Sequence, residues 1–379
     1  MGYQVVIVGL GPAGLMAART LAKNKINFLA IDNKKKIGLP LKCGEGVRED
    51  KFVNFFGDKK YNFVKNKITE HEVIYKGLHR VVVYNVLELD RPKFEQWLAA
   101  PIKSRIRLKT RCDDIKTRED CIEVITNKGT IKSDLVILAN GCDFKFQKKL
   151  GLVKKKQIVI LGYGGIYKVN NVKQDRFQYY FNDGFFGYLW LFPKSRNLAN
   201  IGFGALNTNK SVKETFNKLL RRHNIKAKQL SEYAGLVSCS GPIDKTYDDR
   251  LLVCGTAAGF VHAGTGEGIY FALESGKQAA EIAVKALKNK RFDKAFLKSY
   301  EKGWRKEFGK GMKGGIIFRD LLFLGLRYKK VGFLLKNPTD KEVKDMIING
   351  KIPAKAKLAW FIGRILLLCY KNSKQIQRL

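Results

Sequence analysis

The sequence lacks most of the features that would settle its class at once. Its seven cysteines (Cys43, Cys112, Cys121, Cys142, Cys239, Cys254 and Cys369) contain no CxxC pair. An odd, scattered set in a long chain argues against a disulfide framework and against a zinc site, and points to a reducing, intracellular compartment. No run reaches the roughly 18 uninterrupted apolar residues of a membrane-spanning helix. Met1 leads straight into an apolar strand, which leaves no room for a signal peptide. Internal repeats and low-complexity linkers are missing too. Acidic residues are scarce: 34 Asp+Glu stand against 72 Lys+Arg, a net +38 over 379 residues. Such a field favours anionic partners, whether nucleic acid, acidic headgroups or phosphorylated substrates, and does not choose among them. A Lys-, Asn- and Ile-rich coding bias would produce part of the same excess.

What is present reads as globular. The chain is 45% hydrophobic and long enough for two or three domains or subdomains. It opens with an apolar strand (Tyr3 to Val8), a turn (Gly9-Leu10-Gly11-Pro12-Ala13-Gly14) and a helix, and Asp32 closes a second apolar run. Each part has a job in holding a dinucleotide. Gly9 permits the tight turn, Gly11 lets backbone approach a pyrophosphate, and Gly14 lets helix and strand pack closely. The helix start offers free N–H groups to phosphate, and Asp32 can accept from ribose hydroxyls.

Further along, Leu41-Lys42-Cys43-Gly44-Glu45-Gly46 forms a glycine-flanked loop able to press against a flat ring. Composition alone gives Cys43 no reactivity. Arg91 precedes a helix expected to start near Pro92, where an arginine can clamp phosphate or stay solvated. Short strand-like runs occur at 72–75 and 80–84, and the apolar run 133–141 suits a strand buried on both faces of a parallel sheet. Residues 155–205 change to alternating, aromatic-rich runs that suggest an antiparallel sheet. Within them Tyr188, Trp190 and Phe192 recur two apart, on one strand face, as core or as the wall of an apolar channel. A second glycine cluster (Gly255-Thr256-Ala257-Ala258-Gly259, then Gly264-Thr265-Gly266-Glu267-Gly268-Ile269) opens a long helix with free N–H groups. Two such clusters far apart suggest one extended cofactor spanning both. Gly309 to Gly314 also matches GxGxxG but follows a charged helical stretch, so it is discounted, which leaves no second nucleotide fold for NAD(P)H. The Ile316–Leu335 and Leu358–Tyr370 stretches are basic and amphipathic, and either a membrane surface or the protein's own core could cover them.

Together these segments resemble the geranylgeranyl reductase family of flavoproteins, within the group sharing the aromatic-hydroxylase FAD fold. The resemblance rests on the GxGPAG turn with Asp32, on Pro40 to Gly46, on Asp90-Arg91 with Phe94, on Tyr188 to Gly204, and on Gly255 to Gly268; the tail matches loosely. It implies an α/β protein with a Rossmann-like FAD-binding domain (1–60, 90–150 and 245–290), an inserted antiparallel β-sheet substrate domain (61–89 and 151–244) and a basic helical region (291–379). FAD contacts are expected from Gly9, Gly11, Ala13, Gly14, Asp32, Cys43, Gly44, Gly46, Arg91, Gly255, Thr256, Gly259, Gly266, Gly268 and Ile269. Substrate contacts are expected from Tyr188, Trp190, Phe192, Gly202 and Gly204, with Cys43, Tyr188 and Trp190 at the reacting atoms and no metal. Two positions depart from the family pattern: Thr256 replaces an aspartate of GDAAG, and His262-Ala263 replaces an Asn/Ser-Pro stretch. We assign His262 no proton-transfer role.

The implied activity is reduction of C=C bonds in a geranylgeranyl chain, on an archaeal-type ether phospholipid, with electrons from NAD(P)H or a ferredoxin. The implied partners are an isoprenoid lipid and an acidic membrane surface, with the protein cytoplasmic and peripheral at the inner face of the cell membrane. Nucleic acid is not among them, since no recognised module is present. The alternatives are another flavoenzyme of the fold, a monooxygenase or carotenoid-modifying enzyme, and a non-catalytic relative with weakened FAD binding.

Overall fold

The computed structural model describes residues 2–360 apart from 171, 183–184, 207–210, 337 and 359. Cys369, and the Leu358–Tyr370 stretch apart from Leu358 and Trp360, lie outside the described residues. The described residues build two sheets. The first has eight strands and is centred on Tyr3–Val8, which pairs in parallel with Phe28–Ile31 on one side and Gly129–Leu138 on the other. Leu251–Val253 extends it in parallel beyond Gly129–Leu138. Val5 to Ile7, Leu135 to Leu138 and Leu251 to Val253 are at most 1% exposed. Strands covered on both faces need unbroken apolar runs, which is what 133–141 supplies.

Gly11 caps the helix Pro12–Lys23, with the proline in its first turn, where the missing N–H costs nothing. A side chain at Gly14 would put Cβ 1.9 Å from the Gly9 carbonyl oxygen. The helix Ile269–Asn289 crosses Pro12–Lys23 at Gly276, where an added Cβ would stand 2.2 Å from the Ala13 carbonyl oxygen. This close crossing sets the two glycine clusters side by side.

The second sheet has nine strands, among them Val159–Val169, Arg176–Phe181, Phe186–Ser195 and Leu198–Leu206. The runs expected as short strands at 72–75 and 80–84 belong to a hairpin of two twelve-residue strands, Val64–Tyr75 and Leu78–Leu89. Lysines and Asn85 on the solvent side interrupt the apolar pattern there, and the pairing shifts register between Val64 and Asn66 and between Ile68 and Glu70. The pairing is antiparallel except that Arg176–Phe181 runs parallel to Val64–Tyr75. The chain leaves the hairpin, passes through the first sheet and returns in the same direction, as a long crossover allows.

The tail is dominated by the 34-residue helix Lys294–Arg327. Tyr300 donates to the Val253 carbonyl (2.9 Å) and the Trp304 indole donates to Thr246 Oγ1 (2.9 Å), fixing the helix beneath the first sheet. Its far end reaches the second sheet, where Leu322 and Leu326 pack with Tyr75 and Phe181. The protein's own core therefore covers the apolar face of 316–327. The Gly309–Gly314 motif lies inside this helix, and Gly314 gives Gly350 room to pack: a Cβ would come 2.5 Å from Gly350 Cα. An Arg80–Asp340 ion pair (2.6 Å) ties the tail to the hairpin.

Candidate active site

One cleft of about 1090 Å³ runs from the first glycine turn to the aromatic strand of the second sheet. Gly9, Gly11, Ala13, Asp32, Cys43, Gly44, Gly46, Arg91, Thr256, Gly266, Gly268 and Ile269 line it, as do Tyr188, Trp190, Phe192 and Gly204. Gly14, Gly202, Gly255 and Gly259 do not. Gly14 is spent on the helix–strand crossing, and Gly255 (φ +63°) sits where a Cβ would meet Ala13 Cβ at 2.7 Å. At Gly259 a Cβ would lie 2.1 Å from the Gly241 carbonyl oxygen, and at Gly202 it would strike the Trp190 ring at 2.2 Å. These four shape the cleft from behind, because the space their missing side chains leave is filled by neighbouring protein atoms. A smaller hollow of about 370 Å³ lies at the foot of the hairpin and holds none of the expected residues.

At the first end, Gly9 takes φ +100° with the Ala139 carbonyl oxygen 2.3 Å from where a Cβ would stand, whereas Gly11 has no atom within 4 Å of that point. The turn is thus closed behind and open towards the cleft, as a pyrophosphate cradle requires. Asp32 accepts from the Leu10 N–H (Oδ2, 2.7 Å) and the Lys34 N–H (Oδ1, 2.8 Å), which orients its carboxylate at the cleft edge. Thr256 lines the cleft from the one-turn helix Gly255–Ala258.

In the middle, the Cys43–Gly46 loop is held by a buried polar network. Asn200 Nδ2 donates to the Cys43 carbonyl (2.8 Å) and to Glu45 Oε2 (3.0 Å). Its Oδ1 accepts from the Trp190 indole (3.0 Å) and the Tyr233 hydroxyl (2.8 Å), so all of the amide's capacity is used. Lys194 Nζ donates to Glu45 Oε2 (2.6 Å) and the Leu89 carbonyl (2.5 Å) and lies 3.5 Å from Glu88. Burial opposes the Lys194 charge, but Glu88 and Glu45 hold its pKa above the ordinary lysine value. Burial also pushes Glu88 well above the carboxylate range, Lys194 offsetting part of the rise. Arg91, expected to meet phosphate, binds Glu95 (Nε to Oε1, 2.9 Å) and lies against the Cys43 sulfur. Burial works against its charge, and Cys43 and Glu95 outweigh it, leaving the guanidinium above its usual value. Its guanidinium is engaged by those two partners, because the helix start at Asp90 places it under the Cys43 loop. Cys43 Sγ also accepts from the Glu45 N–H (3.2 Å).

At the far end, Tyr188, Trp190 and Phe192 stand in a row, with ring centroids 6.2 and 6.3 Å apart. Phe177 stacks on Phe192 at 3.8 Å. The register explains the glycines downstream: Tyr188 pairs with Gly204 and Trp190 with Gly202. The indole lies flat over the strand because its cross-strand neighbour has no side chain. Behind the row, His71 stacks on Tyr84 (3.6 Å, 3°) and shares a hydrogen bond with Tyr179 (Nδ1, 3.2 Å). His262 does not line the cleft; it is buried, with Gly315 closely packed against its ring.

Reading the sequence alone missed Asn200, Lys194, Glu88, Tyr233, His71 and Glu267. Lys194 follows Phe192-Pro193 directly and Glu267 stands inside the second glycine cluster, so both carried a positional signal. The others reach the site only through strand pairing.

The architecture defines the class. A dinucleotide-type parallel sheet and an aromatic-walled second sheet share one cleft, which is the Rossmann-like FAD-binding fold with an added β-sheet. A geranylgeranyl bacteriochlorophyll reductase-like protein of Thermoplasma acidophilum superposes with a TM-score of 0.79 at 22% identity, over 95% of each chain. A flavin-dependent brominase shares the fold at TM-score 0.70 and 16% identity, over 98% of this chain and 100% of its own. Residues 165–237 match the geranylgeranyl reductase catalytic domain. A digeranylgeranylglycerophospholipid reductase of Methanocaldococcus jannaschii is 30% identical over 84% of this chain and 86% of its own. Digeranylgeranylglycerophospholipid reductase 2 of Methanothermobacter thermautotrophicus is 31% identical over 91% and 94%. The chain belongs to the geranylgeranyl reductase family.

Proposed function

We propose that this protein is an FAD-dependent reductase that saturates C=C bonds in geranylgeranyl chains of archaeal-type ether phospholipids. One observation carries the reading: the dinucleotide cradle and the Tyr188–Trp190–Phe192 wall open onto a single cleft. The residues present fit FAD. The Gly9 N–H is held by the Ile31 carbonyl (2.9 Å) and fixes the turn, Gly11 leaves open space at the pyrophosphate position, Asp32 is oriented for ribose, and the Cys43–Gly46 loop offers an edge without bulk to a flat ring. Thr256 offers a hydroxyl where an aspartate would bind the ribityl chain more strongly. We assign cofactor holding to the first sheet with its helices, and substrate holding to the second.

Bound reduced FAD supplies a hydride equivalent. An isolated alkene is a poor hydride acceptor, so the chain's contribution is to hold it in line and dry. Tyr188, Trp190 and Phe192 form the apolar side of that space, and the Asn200 amide locks both the Trp190 indole and the Cys43 backbone. Electrons would arrive from NAD(P)H or a ferredoxin. The +38 charge supports a peripheral position on the anionic inner face of the cell membrane, where each nearby Lys or Arg adds about 1 kcal/mol of attraction. No helix among the described residues is long and apolar enough to cross a membrane.

The test is mass spectrometry of a geranylgeranylated ether phospholipid incubated, without oxygen, with the FAD-loaded and dithionite-reduced protein. A mass gain in whole hydrogen pairs is the expected result. FAD-loaded protein that leaves the lipid mass unchanged removes the reading, and protein that stays colourless after FAD is added supports a non-catalytic role.

A further inference from the structure

Saturating an alkene consumes two electrons and two hydrogens. If one carbon receives the hydride equivalent, the other must take a proton, and the aromatic end of the cleft has to provide one. Most polar hydrogens at that end are already committed. The Tyr188 hydroxyl donates to the Thr265 carbonyl at 2.7 Å, and the Trp190 indole donates to Asn200. His71 Nε2 lies 3.1 Å from the Tyr84 carbonyl, which can only accept, so this nitrogen carries the hydrogen and Nδ1 is left as an acceptor for the Tyr179 hydroxyl. Burial pushes the Tyr84 phenol above its ordinary value, so its hydrogen is held more tightly than a carboxyl would hold one. Burial drives the His71 pKa down to about 3, so the ring holds no extra proton to give near neutrality.

Glu267 is different. It lines the same cleft from the turn before the helix Ile269–Asn289, next to Gly266, whose Cβ position is 3.5 Å from the Tyr188 hydroxyl. Its Oε1 is a buried oxygen with no hydrogen-bond partner among the described groups. Glu45, by contrast, is saturated by Lys194, Asn200 and the Arg91 N–H. We infer that Glu267 is the catalytic acid of the reduction, its carboxyl giving a proton to the alkene carbon that does not receive the hydride equivalent.

This assignment rests on the reductase reading. In the step, one C–H bond forms from the hydride equivalent of the reduced flavin and the other from the Glu267 O–H. The flavin is oxidised by two electrons, the alkene is reduced by two, and Glu267 is left as a carboxylate. Solvent protons restore the acid before the next turnover. The groups facing Glu267 are Arg48, Asp50 and Lys51 at the start of the neighbouring helix and Tyr84 and Tyr179 from the second sheet. Arg48 forms a bidentate pair with Asp50 (3.1 and 2.7 Å). Burial raises the carboxyl's pKa first and foremost, and Arg48 offsets part of the rise. A raised pKa keeps the acid form present closer to neutrality, and the rate falls as pH rises through it.

The experiment compares wild type with Glu267→Gln and Glu267→Asp, each shown by absorbance to hold FAD, in anaerobic reoxidation of the reduced protein by the geranylgeranyl lipid across pH. Glu267→Gln should slow reoxidation about 100-fold, the scale of general acid catalysis, and should abolish the decline at high pH, with Glu267→Asp recovering part of both. In cofactor-free protein, infrared titration should show a protonated-carboxyl band that Glu267→Gln removes. A reductase-active wild type with Glu267→Gln within about threefold and an unchanged pH profile overturns this assignment alone. So does the lack of any infrared band that the variant removes, or a proton step lost in Cys43→Ser and kept in Glu267→Gln. A wild type that leaves the lipid unreduced overturns the reductase reading, and this assignment with it.

Discussion

His71 shows how a single buried side chain ties stability to pH. It is 3% exposed, stacked on Tyr84 and neutral, with burial lowering its pKa to about 3. The unfolded chain binds a proton below about pH 6.5, where the folded one does not, so the unfolded state gains as pH falls. The stability contributed by neutral His71 is whole above about 6.5 and drains away towards 3, by up to about 1.4 kcal/mol per pH unit. His262, lowered to about 4 by burial and then by Arg48, acts in the same direction. Denaturant titrations at about pH 6.5 and about pH 5 should show His71→Phe losing roughly 1.6 kcal/mol less than wild type over that interval. Equal losses would mean that the folded protein protonates His71. At this scale little was legible in advance: nothing in the local sequence places His71 beside Tyr179, or Lys194 between Glu45 and Glu88. Their partners come from other strands and from the Cys43–Gly46 loop.

At the level of elements, the hairpin Phe186–Ser195 and Leu198–Leu206 turns a spacing into a surface. Side chains alternate along a strand, so Tyr188, Trp190 and Phe192 had to share a face. Which glycine serves which aromatic was a question of register, and the pairing puts Gly202 under Trp190 and Gly204 opposite Tyr188. Gly202 was read as a substrate contact, yet it acts by leaving room for the indole, with any Cβ 2.2 Å from the ring. Gly202→Val should displace Trp190, break its bond to Asn200 and lower lipid reduction by about 100-fold through misplacement of the wall. FAD absorbance should be kept and tryptophan fluorescence should shift; a variant with full activity would show that the wall tolerates a tilted indole. The same register logic explains the hairpin Val64–Tyr75/Leu78–Leu89, where the apolar cores of the two strands were visible and their polar flanks were not.

Across the whole molecule, the positive charge and the long tail helix have separate roles. The Ile316–Leu335 stretch was suited either to a membrane surface or to the protein's own core, and over 316–327 the core covers it: Arg319 is buried and bonded to the Cys239 carbonyl and to Asp320, while Leu322 and Leu326 pack on the second sheet. The helix Lys294–Arg327 acts as a strap joining both sheets, so the proposed membrane attraction does not draw on its apolar face and is assigned to surface lysines and arginines. Co-sedimentation of the intact protein should show binding to anionic vesicles at low salt and release as salt rises, with little binding to zwitterionic vesicles. Binding that persists at high salt would point to an inserted apolar segment instead.

The sequence alone determined the parallel strands, the glycine turn with Asp32, the second glycine cluster and the aromatic stripe. These depend on residues close together in the chain, where backbone sterics and side-chain period act locally. Tertiary structure decided that Gly276 brings the two glycine clusters together, that Arg91 meets Cys43 and Glu95, and that Glu267 is left with an unpaired oxygen among occupied hydroxyls. Such outcomes depend on contacts between distant segments, which are selected by packing and by the cost of burying polar groups away from their partners.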